Sequence, residues 1–264
     1  MQTRFIAIAN QKGGVGKTTT CINLAACLTA LDQRVLIVDL DPQANATSGL
    51  GLEKTPGGSL YGALLGEKHV SECIRPTAYE DLDIVPSEVD LAGAEIDVAR
   101  SENYLHRVKD TLAELADGDK YNFVFIDCPP SLGILTMNAM AAADGILVPI
   151  QCEYYALEGL SVIVDLVEKI RRSGGNGRLR LEGIVMTMYD RRTNLSLQVT
   201  KEVRRHFGEQ LFNTIIPRTV RLSEAPSHGM PILDYDPENM GARAYVKLAQ
   251  EFLERQRAAY AREE

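Results

Sequence analysis

The segment Lys12-Gly13-Gly14-Val15-Gly16-Lys17-Thr18-Thr19 lies between the apolar run Phe5–Asn10 and a helical pattern that begins at Lys17. A glycine loop between a strand and a helix is what a phosphate-binding turn requires. Glycines let backbone N–H groups close on an anion, and the helix N-terminus adds partial positive charge. In such a loop Lys17 is expected on the β- and γ-phosphates of a nucleotide and Thr18 on Mg²⁺. The general pattern G-x-x-x-x-G-K-[ST] asks for glycine at position 11, where Gln11 stands. The variant present is K-G-G-x-G-K-T-T, with a second lysine, Lys12, near its start. The plainer alternative is a glycine turn that binds nothing.

The rest of the chain supplies the fold that such a loop needs. Short β-branched runs at Phe5–Asn10, Val35–Asp39, Leu82–Val85, Phe123–Asp127, Ile146–Ile150 and Gly183–Met186 alternate with helical patterns. The helical patterns are Lys17–Leu31, Tyr104–Ala116, Leu157–Arg172, Leu195–Phe207 and Ala242–Arg257. This alternation predicts an α/β fold: a doubly wound, mostly parallel sheet flanked by helices. Several of the runs are apolar throughout, as strands covered on both faces are. Leu195, Val199, Val203 and Phe207 recur at i, i+4 and predict one buried stripe. Ser173–Gly177 reads as an exposed turn. No repeat or low-complexity segment appears, and one domain over residues 1–264 is expected.

Two apolar runs end in acid. Val35-Leu36-Ile37-Val38-Asp39 continues into Asp41, and Phe123-Val124-Phe125-Ile126-Asp127 precedes Cys128-Pro129-Pro130. Carboxylates at the C-terminal ends of parallel strands lie in the crevice where open α/β sheets bind ligands. Asp127 has the form of a Walker B acid holding Mg²⁺ through a water. Asp39 and Asp41 share a side while the strand persists, though either could instead cap the turn that follows. Cys128 adjoins this region as a small packed residue.

The loop resembles the deviant Walker A motif of the ParA/MinD group of ATPases, and the resemblance extends from Phe5 to about Leu253. It implies an ATP-bound sandwich homodimer whose nucleotide is held by Lys12 through Thr19, with Lys12 reaching across to the partner's phosphates. A lysine acting in trans would neutralise charge developing on the γ-phosphoryl group, as an arginine finger does. The resemblance assigns Asp41 to the attacking water and sets Asp39 nearer the metal shell. Similarity to the Soj branch of the group places Pro217 and Thr219 near adenine and ribose.

Charge is divided unevenly along this acidic chain of net −8. Arg171–Arg221 carries eleven Lys/Arg against four Asp/Glu, a net of +7, and the remainder nets −15. Such asymmetry marks either a solvated basic face or a surface for a polyanion. Asp190-Arg191-Arg192-Thr193-Asn194-Leu195 and Ile216 through Ser227 are similar to Soj-type members, which implies that Arg192 and Arg221 bind double-stranded DNA without sequence preference. Phosphate-directed arginines give salt-dependent affinity and no base readout. The acids Asp234 and Glu238 are expected to trim that affinity. The resemblance further implies chromosome or plasmid partition, with hydrolysis stimulated by a ParB/Spo0J-like protein.

Other features narrow the relatives. The loop starts too near residue 1 to leave room for a helix-turn-helix domain. Five scattered cysteines form no C-x-x-C pair, which points to reduced thiols in a cytoplasmic protein; the resemblance implies that it is nucleoid-associated. No run approaches the roughly 20 apolar residues of a membrane span. Glu251–Tyr260 lacks the strong apolar face of a membrane-surface helix. This weakens the main alternative, a MinD-like membrane-positioning ATPase. A cluster-assembly ATPase is a third reading, and Cys128 and Cys152 do not sit in its motifs.

Overall fold

In the computed structural model, residues 2–116 and 120–263 are described; residues 1, 117–119 and 264 of the expected domain lie outside them. The strands are β1 Arg4–Ile8, β2 Val35–Asp39, β3 Arg75–Pro76, β4 Leu82–Val85, β5 Phe123–Asp127, β6 Gly145–Gln151 and β7 Arg180–Thr187. They form one sheet in the order β3-β4-β2-β5-β1-β6-β7. All pairs are parallel except β3 with β4. The doubly wound expectation therefore stands, with one antiparallel edge added. A two-residue strand containing proline gives no periodic signal, and proline is tolerated there because the strand is at an edge.

Successive residues of each central strand enter different cores. Phe5, Ala7 and Ala9 pack on one face with Leu160, Ile163 and Val167 of helix Ala156–Arg172. Ile6 and Ile8 pack on the other with Leu24 and Leu28 of helix Lys17–Thr29. Alternation persists, but both faces are apolar, so the sequence shows an unbroken run. Helix Met240–Glu263 closes the second face. Its Phe252 is fully buried and meets Phe123 and Phe125 edge-on, at ring distances of 5.3 and 5.9 Å.

Three local expectations are corrected by tertiary contacts. The helix expected from Tyr104 begins at Arg107, runs to Leu112 and ends as a 3₁₀ turn. Asn138 explains the late start: its amide donates to Tyr104 O (2.7 Å) and its oxygen accepts from Val108 N (3.2 Å). In helix Asn194–Phe207 the buried residues are Ser196, Val199, Thr200 and Val203, whereas Leu195 is 43 % exposed. Thr193 caps this helix through Ser196 N, which turns Leu195 outward and Ser196 inward. The Ser173–Gly177 turn is exposed except around Gly175 and Asn176, and Asn176 donates to the carbonyls of Met140 (3.1 Å) and Ala143 (2.6 Å).

Candidate nucleotide and polyanion site

Strand order places the site. β5 lies between β1 and β2, in register Ile8↔Asp127 and Asp39↔Asp127. The phosphate loop leaves β1 at the level where the adjacent β5 and, beyond it, β2 end in aspartate. Backbone bonds from Cys128 N to Ile8 O (3.2 Å) and from Leu40 N to Asp127 O (3.0 Å) hold the three ends together. This is the carboxyl edge of the sheet, where open α/β folds bind ligands.

The loop is shaped by conformation and by two anchoring residues, Asn10 and Thr187. Gly14 and Gly16 have φ of 74° and 88°, which favours glycine. Gly16 opens helix Lys17–Thr29, and no side chain caps its first turn, so its N–H groups point at whatever fills the loop. Asn10 accepts from Lys12 N (3.0 Å) and donates to Pro149 O (2.8 Å), fixing the start of the loop to β6. The Thr187 hydroxyl lies 2.8 Å from Val15 O and 3.0 Å from Ile150 O, pinning the middle of the loop to the ends of β6 and β7. Asn10 and Thr187 carry no motif signal; only the fold shows that they belong to the site.

The two loop lysines differ in setting. Lys17 is buried, its ammonium 3.4 Å from Lys12 O. Burial lowers its pKa, and the charges of Asp127 and Asp41 pull the other way. Lys12 is about half-exposed at the mouth and forms an ion pair with Glu153 of its own chain. An exposed pair is worth about 0.2–1 kcal/mol, so little holds Lys12 in place against a stronger anion.

Among the carboxylates, Asp127 and Asp39 behave oppositely. Both oxygens of Asp127 are buried and neither meets a donor in good hydrogen-bond geometry, although the Thr18 hydroxyl lies close enough to favour the charged form. Burial, with the neighbouring Asp39 charge second, pushes its pKa well up; the Thr18 hydroxyl and Lys17 only partly oppose this. A buried acid left open beside Thr18 is the donor set that a hard cation fits, through oxygen ligands and retained water. Asp39, by contrast, is filled: Oδ2 accepts from Thr47 N (2.9 Å) and Thr47 Oγ1 (2.8 Å), and Oδ1 from Asp41 N (3.2 Å). These bonds are those of the alternative expected for Asp39, a cap of the following turn. Asp41 is buried, and its Oδ1 accepts from Gln43 N (2.9 Å). Cys128 is buried, which raises its thiol pKa and leaves it no thiolate at neutral pH.

Pro217 and Thr219 line a groove of about 1070 Å³ together with Arg192, Arg218, Arg243 and Lys247. Residues 12–19 do not line it, but it opens at Tyr189, two residues beyond Thr187, and Tyr189 pairs with Pro217. Arg221 is not part of its wall. Both predicted arginines carry acid partners. Arg192 grips Asp190 with two nitrogens, at 3.0 and 2.7 Å, and lowers the Asp190 pKa to about 2. Arg221 meets Glu224 (3.1 Å) and Asp236 (3.4 Å) and lies over Tyr235. The acids that blunt Arg221 are thus Glu224 and Asp236, whereas Glu238 pairs with Arg243.

Known proteins resemble this chain over nearly its whole length. A family model described as an AAA domain matches residues 3–181. The chain is 48 % identical over 255 residues to the chromosome partitioning protein ParA of Caulobacter vibrioides, covering 96 % of this chain and 95 % of that one. It is 49 % identical over 249 residues to the sporulation initiation inhibitor protein Soj of Bacillus subtilis, covering 94 % and 97 %. Among solved structures it resembles the cobyrinic acid a,c-diamide synthase of Mycobacterium smegmatis with bound ATP analogue and magnesium. That match has a TM-score of 0.84 and 37 % identity, and covers 97 % of both chains. Identity is higher to the partition proteins than to that enzyme.

Proposed function

Because the chain belongs to the ParA/Soj family of chromosome-partitioning ATPases, we propose that it is an ATP hydrolase whose nucleotide state controls a homodimer that binds non-specific double-stranded DNA. The observation that carries this reading is the buried Asp127 carboxylate at the phosphate loop, opposed only in part by the Thr18 hydroxyl and Lys17 beside it. Residues 12–19 bind the phosphates, Lys17 from within the subunit and Lys12 from the partner. Thr18 and, through water, Asp127 hold Mg²⁺, which when bound neutralises charge on the β- and γ-phosphates. Asp41 orients the attacking water. Pro217 and Thr219 border the base and ribose.

Arg192 and Arg221 supply phosphate contacts to DNA, and two subunits double them, so that binding depends on ATP. A ParB/Spo0J-like protein stimulates hydrolysis and ends the DNA-bound state. The MinD-like alternative has less support. Among the described residues no helix is long and apolar enough to cross a membrane. The apolar residues of the terminal helix, Tyr245, Leu248 and Phe252, are buried in the protein.

The test is a band shift of non-specific duplex DNA with Mg·ATP against Mg·ADP, using Asp41→Ala to block hydrolysis. A shift with ATP alone is expected. No shift with either nucleotide would remove the DNA arm, and equal shifts with both would remove the switch.

A further inference from the structure

We propose that Thr47 is a positioning residue for hydrolysis, holding Asp41 in place through Asp39 and tying that turn to Ser87 beyond the end of β4. The inference rests on the reading that Asp41 orients the attacking water. Asp39 is completely buried and stands in register with Asp127, on strands about 4.8 Å apart. A carboxylate so placed needs donors, and its three are all internal: Asp41 N, Thr47 N and Thr47 Oγ1. One oxygen steadies the Asp41 backbone and the other is closed by Thr47.

Thr47 is itself fully buried, and its hydroxyl works in two directions. It donates to Asp39 Oδ2 and accepts from Ser87 N at 2.8 Å. The next residue, Glu88, accepts from Gly57 N (2.8 Å), Ser59 N (3.2 Å) and Ser59 Oγ (2.6 Å). A buried chain of bonds therefore runs from the Asp41 turn to the loop at Gly57–Ser59. Between Asp41 and Thr47 the backbone passes through Ala44 at φ 54°, a left-handed conformation costly for a residue with a Cβ. Such a turn keeps its shape because both ends are tied, at Asp41 by Asp39 and at Thr47 by Asp39 and Ser87. Valine has nearly the shape of threonine but removes the hydroxyl, leaving Ser87 N–H without its acceptor and the Asp39 carboxylate with one donor fewer. Since the Thr47 hydroxyl is committed to Asp39 and Ser87, its loss should act on turnover and not on nucleotide binding.

The test compares full-length Thr47→Val, Thr47→Ser, Asp39→Asn and Asp41→Ala. The readouts are kcat and KM for ATP, affinity for a fluorescent ADP analogue, the Mg²⁺ midpoint of that binding, and Tm. Thr47→Val should lower kcat about ten- to a hundredfold, the range for a lost orienting partner. Its KM and ADP-analogue affinity should stay within about twofold, and Thr47→Ser should restore most of kcat. Asp39→Asn should also lose kcat with its Mg²⁺ midpoint unchanged, and this arm decides if Thr47→Val does not fold. Turnover of Thr47→Val near wild type, with Asp41→Ala inactive, overturns the inference and leaves the role of Asp41 standing. A Mg²⁺ midpoint shifted about tenfold or more in Asp39→Asn returns Asp39 to the metal shell and also overturns it. Wild-type turnover in Asp41→Ala refutes the underlying role of Asp41 and the inference with it.

Discussion

Replacing Asp127 by asparagine should stabilise the nucleotide-free protein at neutral pH while ending hydrolysis. Both Asp127 oxygens are buried with only the Thr18 hydroxyl and Lys17 nearby to offset the charge, and the Asp39 carboxyl sits in register beside them. A buried polar group left unpaired costs about 1–3 kcal/mol, and more when charged. Asparagine keeps the volume and removes the charge, yet still buries an amide in an incomplete setting, so a net gain of about 1–3 kcal/mol is expected. At about 2–4 °C per kcal/mol for a chain near this size, Tm should rise by roughly 2–12 °C.

The pH dependence fixes the sign. Burial, then Asp39, raises the folded pKa of Asp127 above its unfolded value of about 3.9. The proton-linked stability of the wild type is complete below that unfolded value and is lost as pH rises through the folded one. The advantage of asparagine should therefore be absent near pH 4 and full only above the raised pKa. Thermal melts from about pH 4 to pH 8, with and without Mg·ADP, measure it. Mg·ADP should raise the wild-type Tm by mass action and narrow the gap. An Asp127→Asn protein that melts below the wild type without nucleotide at about pH 7.5 would refute the idea of an uncompensated buried charge.

Two further outcomes follow from the packing and the basic face. Phe252→Ala removes a ring held between Phe123 and Phe125 and should cost about 3–5 kcal/mol in urea unfolding. Arg192→Ala should weaken ATP-dependent DNA binding at every sequence and reduce the slope of log K against log salt by about one for each phosphate the arginine neutralised, and Arg221→Ala should do the same. Sequence-selective weakening would argue against phosphate recognition.

Much of this protein is legible in its sequence, because the signals are local. Gly14 and Gly16 had to be glycine for the loop to turn, Lys17 and Thr18 follow at once, and apolar runs ending in Asp39 and Asp127 announce buried parallel strands. Periodicity located the starts of the four longest helices to within two residues, but it ended the last at Arg257 instead of Glu263 and missed the helices Leu91–Arg100 and Ile134–Ala142. What stayed hidden depends on partners distant in sequence. The late start at Arg107 is set by Asn138, the outward turn of Leu195 by the Thr193 cap, and the hold on the loop by Asn10 and Thr187. Sequence assigned Asp127 to Mg²⁺ but left Asp39 between the metal shell and a cap of the following turn. Only the tertiary structure brings Thr47 and Asp41 onto Asp39 and leaves Asp127 open. The reason is physical: glycine dihedrals and side-chain periodicity belong to neighbouring residues, whereas the pairing of a buried carboxylate is decided by which donors the folded chain carries to it.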